Sequence, residues 1–183
     1  MVNLEQLCRE VWGAYEYLRE NDLSAESGTS KRLRAADLTK LKARLLEELM
    51  ELRGVVEGTH HHEGFDQDII LEGYEVWYWA VCLAIASQIG YDELQPHKAL
   101  SEGFKAVPAG REALLPAFDT LVEKIGKTTQ AEEVKDNFRS VFRLIGQACS
   151  LNRTLPARLL ERDRDEMRQK EYLAPYWQLV NNR

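Results

Sequence analysis

From Val76 to Ala86 every residue is apolar or aromatic, and this run sits inside a longer helical pattern from about Asp66 to Ile89, which stops at Gly90. A helix that is apolar nearly all round must be covered on most of its faces. A membrane span would need about 20 such residues, so the run reads as the core helix of a water-facing fold. No segment alternates with period two for long enough to make a strand. Leu, Ala, Glu and Arg dominate the 183 residues, with only 11 Gly and 5 Pro, which favours helix. The expected fold is therefore all-α, a helical bundle.

Other helices are expected around that core. Leu4, Leu7, Val11, Ala14, Tyr15 and Leu18 recur at helical spacing and predict a helix over 3–20. Asn21 to Ser30 is polar and reads as a loop. One long helix is expected from Lys31 to Val56, closed by Gly58. Tyr91 to Gly110, with Pro96 and Pro108, has room for one short helix. Helical patterns then cover 111–125, 131–150 and 156–172, and the tail around Pro175 and Trp177 is expected to lie across a surface.

The formal charge is −6, from 24 Lys+Arg against 30 Asp+Glu. That balance argues against a nucleic-acid binder working by phosphate neutralisation. Cys8, Cys82 and Cys149 are distant and odd in number, with no CxxC pair, so neither a disulfide framework nor a structural zinc site is implied. With no basic and apolar leader pattern at the start, a reduced, cytoplasmic protein is expected, with no membrane partner.

Two consecutive helices place acids where apolar residues belong. Advancing 100° per residue from Leu41, the residues Leu45, Leu52 and Val55 fall within about 40° and Glu48 within about 20°. Glu51 and Arg44 flank that stripe, and Glu47 lies further round. On the next helix, Val76, Trp79 and Leu83 fall within about 40° of Glu72, with Glu75 and Asp68 on the same side. The pairs Glu48/Glu51 and Glu72/Glu75 thus aim at an apolar interior. A buried carboxylate without compensation costs several kcal/mol or takes up a proton. Arg44 alone cannot balance four of them. A hard divalent cation can, and Mg²⁺ takes carboxylate oxygens while keeping positions for water and phosphates.

The stretch Arg44-Leu45-Leu46-Glu47-Glu48-Leu49-Met50-Glu51-Leu52, followed by Glu72-Gly73-Tyr74-Glu75 and a long apolar helix, resembles the EExxE…ExxD signature of the MazG-like all-α nucleoside triphosphate pyrophosphohydrolases. That superfamily includes MazG, phosphoribosyl-ATP pyrophosphohydrolases and all-α dUTPases. The likeness spans about residues 31–95. It implies a MazG-like four-helix core and a Mg²⁺-dependent enzyme, with Mn²⁺ as a substitute, that cuts a nucleotide to a monophosphate and pyrophosphate. By position, Glu48, Glu51, Glu72 and Glu75 would hold the metal, and Glu47 and Glu48 would serve catalysis, Glu47 by orienting water. Glu75 stands where the family has Asp. Arg44, Trp79 and Lys98 are the candidates for meeting substrate, Trp79 by stacking on a base if it is not simply core. The resemblance also implies a homodimer or higher oligomer. The alternative is a catalytically silent nucleotide- or metal-binding, or helical interaction, module.

A division at 107/108 is expected, with the metal site in 1–107. Residues 108–183 could be a worn second copy, in which Asp119 to Glu123 echo Glu47 to Glu51, and Asp136 and Arg139 replace Glu72 and Glu75. His60-His61-His62 lies in a Gly-flanked loop; three adjacent residues converge poorly on one ion, so the run is read as solvated. Glu57-Gly58-Thr59-His60 spells ExxH, but without the second copy that a di-iron bundle needs. Arg158, Arg162, Arg164 and Arg168 interleave with Glu161, Asp163, Asp165 and Glu166 and read as a solvated helix face. No glycine-rich phosphate loop is present.

Overall fold

The computed structural model describes residues 3–128 and 131–182. Among them there is no strand, and the chain is an all-α helical bundle. The helices are α1 (Leu4–Glu20), α2 (Gly28–Ala35), α3 (Leu38–Glu57), α4 (Phe65–Ala86), α5 (Tyr91–Leu94), α6 (Pro96–Lys105), α7 (Arg111–Lys127), α8 (Ala131–Ser150), α9 (Ala157–Arg168) and α10 (Ala174–Asn181).

The apolar run does what its composition demands. Helix α4 is wrapped by α3, α8, α9, α1 and α2. By length and composition it could cross a bilayer, but 78% of its most apolar stretch is buried inside the protein. Residues Val76, Ala80, Val81, Cys82 and Ala84 are fully covered. Helices α6 and α8 cross closely enough that their contact is backbone on backbone. A Cβ on Gly103 would lie 1.9 Å from the Arg143 carbonyl oxygen, and one on Gly146 would lie 2.2 Å from that of Leu100. The boundary at 107/108 falls in the link between α6 and α7. Buried residues of α7, α8, α9 and α10 join those of the earlier helices in one hydrophobic core.

Three expected elements differ. The helix drawn from Lys31 to Val56 is two helices, parted at Ala36, whose backbone is left-handed (φ 48°). The reason is local: the Asp37 carboxylate accepts the Lys40 amide at 3.1 Å and caps a new helix there. The break folds α2 back onto α1 and α4. The 91–110 stretch holds two helices, the second started by Pro96 in its first turn. The last pattern ends at Arg168, and the tail, expected as a surface strap, forms a 3₁₀ turn (Glu171–Leu173) and α10. Trp177 of α10 is buried, with its Nε1 donating to the Met167 carbonyl at 3.4 Å. Gly58 closes α3 as expected, with φ 90° and its amide bonded to the Gly54 carbonyl.

Candidate metal centre and adjoining cleft

Helices α3 and α4 run against each other, and the acids sit on their facing sides. Glu48 and Glu72 are each only 3% exposed. One carboxylate oxygen from each of Glu48, Glu51 and Glu72 lies within 4.8 Å of the others. These three come together as the helical stripes required. Glu75, one turn further along α4, does not complete that group; its charged neighbours are Glu72, Glu166, Arg44 and Arg162.

Electrostatics follow from burial. Desolvation and the neighbouring carboxylates push Glu48 up to about 7, with Glu51 the strongest neighbour and Arg44 opposing. Glu72 and Glu75 are raised for the same primary reason, loss of water. Arg44 bonds both Glu47 and Glu48. Glu47 itself is exposed, held at the rim by Arg44 and outside the cluster. Glu72 Oε2 is buried and accepts no hydrogen bond. Three converging carboxylates, one with an unmet oxygen, form a donor set suited to a hard divalent cation.

Beside this cluster lies a cleft of about 580 Å³ lined by Lys31, Arg32, Ala35, Asp37, Lys40, Leu41, Arg44 and Trp79. Trp79 is a mostly covered core residue whose remaining exposed surface lines the cleft. The guanidinium carbons of Arg44 and Arg32 stand 5.1 and 5.4 Å from its ring centre. Arg32 is held by the Tyr78 hydroxyl at 2.7 Å. Lys31, Arg32 and Lys40 are the cations that the sequence reading missed. Lys31 and Arg32 reach the cleft from α2, which the break at Ala36 turns away from the line of α3, while Lys40 stands one turn before Arg44 on α3 itself. Lys98 goes elsewhere, to the exposed side of α6 beside His97, in a corner that holds Glu5, Arg9 and Asp92.

The histidine run lies in a largely solvated loop, as expected, but two of its rings approach a buried acid. His61 and His62 are exposed and His60 is half-buried, yet His60 and His62 both reach Glu72 from the loop. Their Nε2 atoms lie 3.4 and 3.2 Å from Glu72 Oε1. Asp68, wholly buried, explains why: its carboxylate accepts the backbone amides of His62, Glu63 and Gly64 at 3.2, 2.9 and 3.3 Å. Despite its burial, those three donors hold its ionisation below the usual range.

The α9 face is also only partly solvated. Arg162 pairs with Glu166 and Arg158 with Glu161, as a surface face would. Asp163, however, is 1% exposed and accepts hydrogen bonds from the Tyr15 hydroxyl and Trp77 Nε1. In the segment considered as a second copy, Asp119 pairs with Arg53 and Asp136 with Arg139, both near the surface. Neither belongs to an acidic cluster among the described residues.

Compared with known proteins, the chain matches no family model, no curated protein and no solved structure.

Proposed function

We propose that this protein is a Mg²⁺-dependent nucleotide pyrophosphohydrolase, acting on a nucleoside triphosphate or related phosphoanhydride. The observation that carries the reading is the meeting of Glu48, Glu51 and Glu72 beside a cleft lined by four cations and Trp79. A nucleotide has the complementary parts: an anionic phosphate chain and a flat base.

Glu48, Glu51 and Glu72 would hold Mg²⁺, which supplies a Lewis acid for phosphate oxygens and charge neutralisation for the leaving pyrophosphate. Arg44 reaches both Glu48 and the Trp79 ring, so it spans the acidic cluster and the cleft. Lys31, Arg32 and Lys40 neutralise the phosphate chain, and the base stacks against Trp79. Glu47, outside the carboxylate cluster, accepts the proton of the attacking water. The water oxygen bonds to the α-phosphorus, the α–β anhydride bond breaks, and pyrophosphate leaves with the bonding pair.

The test is Mg²⁺-dependent release of pyrophosphate across a panel of nucleotides. Glu48→Gln and Glu72→Gln should each lower turnover by roughly a hundredfold or more, as loss of one charge-stabilising group at a reacting centre does. Nucleotide binding without any pyrophosphate release would instead assign a silent binding module. Turnover unchanged by either substitution would end the hydrolase reading.

A further inference from the structure

His60, His62 and Glu72 form a second donor set, chemically unlike the carboxylate cluster. The two imidazole Nε2 atoms are 2.8 Å apart, and each lies 3.2–3.4 Å from Glu72 Oε1. An ion bound at about 2.0–2.2 Å by imidazole and carboxylate sets such donors roughly 3.0–3.5 Å apart. The triangle is thus already near the size that coordination requires.

The loop that carries it is fixed at both ends. The amides of Thr59 and His60 bond the Gly54 carbonyl at 2.8 and 3.2 Å. Gly54 leaves room for the loop to close: a Cβ there would lie 2.9 Å from His60 Cβ. On the far side the Asp68 carboxylate gathers three amides from His62 to Gly64. The two imidazoles meet edge to face, with ring centres 4.6 Å apart. Such a meeting of two ring nitrogens is hard to satisfy by protons alone. Each neutral imidazole has one donor and one acceptor nitrogen. If one Nε2 donates to the other, the Nε2 that accepts has no proton left for Glu72. Independently of those protons, the other oxygen of the buried carboxylate, Glu72 Oε2, has no hydrogen-bond partner.

We infer that His60 Nε2, His62 Nε2 and Glu72 Oε1 bind a borderline divalent cation of the Zn²⁺ or Co²⁺ type. Imidazole nitrogen selects such ions over Mg²⁺, which prefers an all-oxygen shell. Glu72 also belongs to the Glu48–Glu51–Glu72 group, so one carboxylate is common to a nitrogen-rich and an oxygen-only site. Both histidines remain partly exposed, which leaves the ion open to water on its outer side. This site stands on its own geometry and does not need the hydrolase reading.

The experiment is titration of the metal-free protein with Co²⁺, followed by its visible d–d absorption, with Zn²⁺ affinity measured by competition against a chromophoric chelator. One equivalent should bind and resist a large excess of Mg²⁺. His60→Ala and His62→Ala should each weaken binding at least tenfold, and the double variant should abolish the absorption. His61→Ala, in the same loop but pointing to solvent, should match the wild type. The inference is overturned if the double variant keeps wild-type affinity and spectrum, or if His61→Ala loses as much as its neighbours. Pyrophosphate release plays no part in the readout, so failure of the proposed reaction would leave this result intact.

Discussion

Asp163 offers the sharpest energetic test, because its surroundings are so one-sided. It is buried in the junction of α1, α4 and α9, with Tyr15 Oη 2.7 Å from Oδ1 and Trp77 Nε1 3.2 Å from Oδ2. Both partners are neutral donors. Its influential charged neighbours, Glu166 and Glu75, are acids. Desolvation first, with those acids adding to it and the two hydrogen bonds opposing it, pushes its carboxyl from 3.8 up to about 7. A carboxyl raised in the folded state contributes full stability below its unfolded value and loses it as pH rises through the folded value. At about 1.4 kcal/mol per pH unit, the whole loss is about 4 kcal/mol, of which roughly 3 kcal/mol falls between pH 5 and pH 8. Asp163→Asn keeps the shape and the acceptor for Trp77 but cannot ionise. It should forgo about 1 kcal/mol at every pH for the rearranged Tyr15 bond. Thermal unfolding of metal-free wild type and variant at pH 5, 6, 7 and 8 measures the difference. The gap should swing in favour of the variant by roughly 6–12 °C across that range, at about 2–4 °C per kcal/mol for a chain of this size. Parallel curves from pH 5 to pH 8 would mean that Asp163 ionises normally, and the argument from burial would be refuted.

Further outcomes follow from single residues. Asp68→Ala strips three backbone donors of their acceptor and should cost about 2–3 kcal/mol in urea unfolding, with hydrogen exchange accelerated at His62, Glu63 and Gly64. Gly103→Ala drives a methyl into the Arg143 carbonyl; it should cost at least about 3 kcal/mol or leave the chain unfolded by circular dichroism, whereas Ala at solvent-facing Gly126 should be neutral or stabilising. Cys8, Cys82 and Cys149 are buried, and desolvation raises all three thiols, Cys149 to about 12. Ellman's reagent should therefore find almost no reactive thiol at pH 8 until denaturant is added.

How far the site could be read in advance depended on how local its causes are. Glu48 and Glu72 were legible because helical periodicity alone assigns a residue to a face, and both fall inside apolar stripes. The closeness of Glu51 followed from the same turn of helix. Glu75 satisfies that rule equally well, yet its oxygens do not join the three, because the rule gives direction but not the distance between helices. Asp163 was hidden by its own neighbours: alternating Arg and acid residues describe a solvated face, and only the arrival of Tyr15 from α1 and Trp77 from α4 makes one member of that face a core residue. The approach of the solvated His60 and His62 to Glu72 was hidden for a similar reason. Adjacent loop residues have no periodicity, and their aim is set by amides captured by Asp68 and by a gap at Gly54.

The sequence by itself determined the all-helical class, the burial of α4 and the inward acids of α3 and α4, since each depends on a repeat of 3.6 residues within one helix. Tertiary structure alone decided which cations meet those acids and where the histidines point. Lys31 and Arg32 join the cleft through a backbone reversal at Ala36, and Lys98 leaves it because α6 docks on α8 and α1. Such meetings join residues far apart in the chain, and periodicity within one helix says nothing about them.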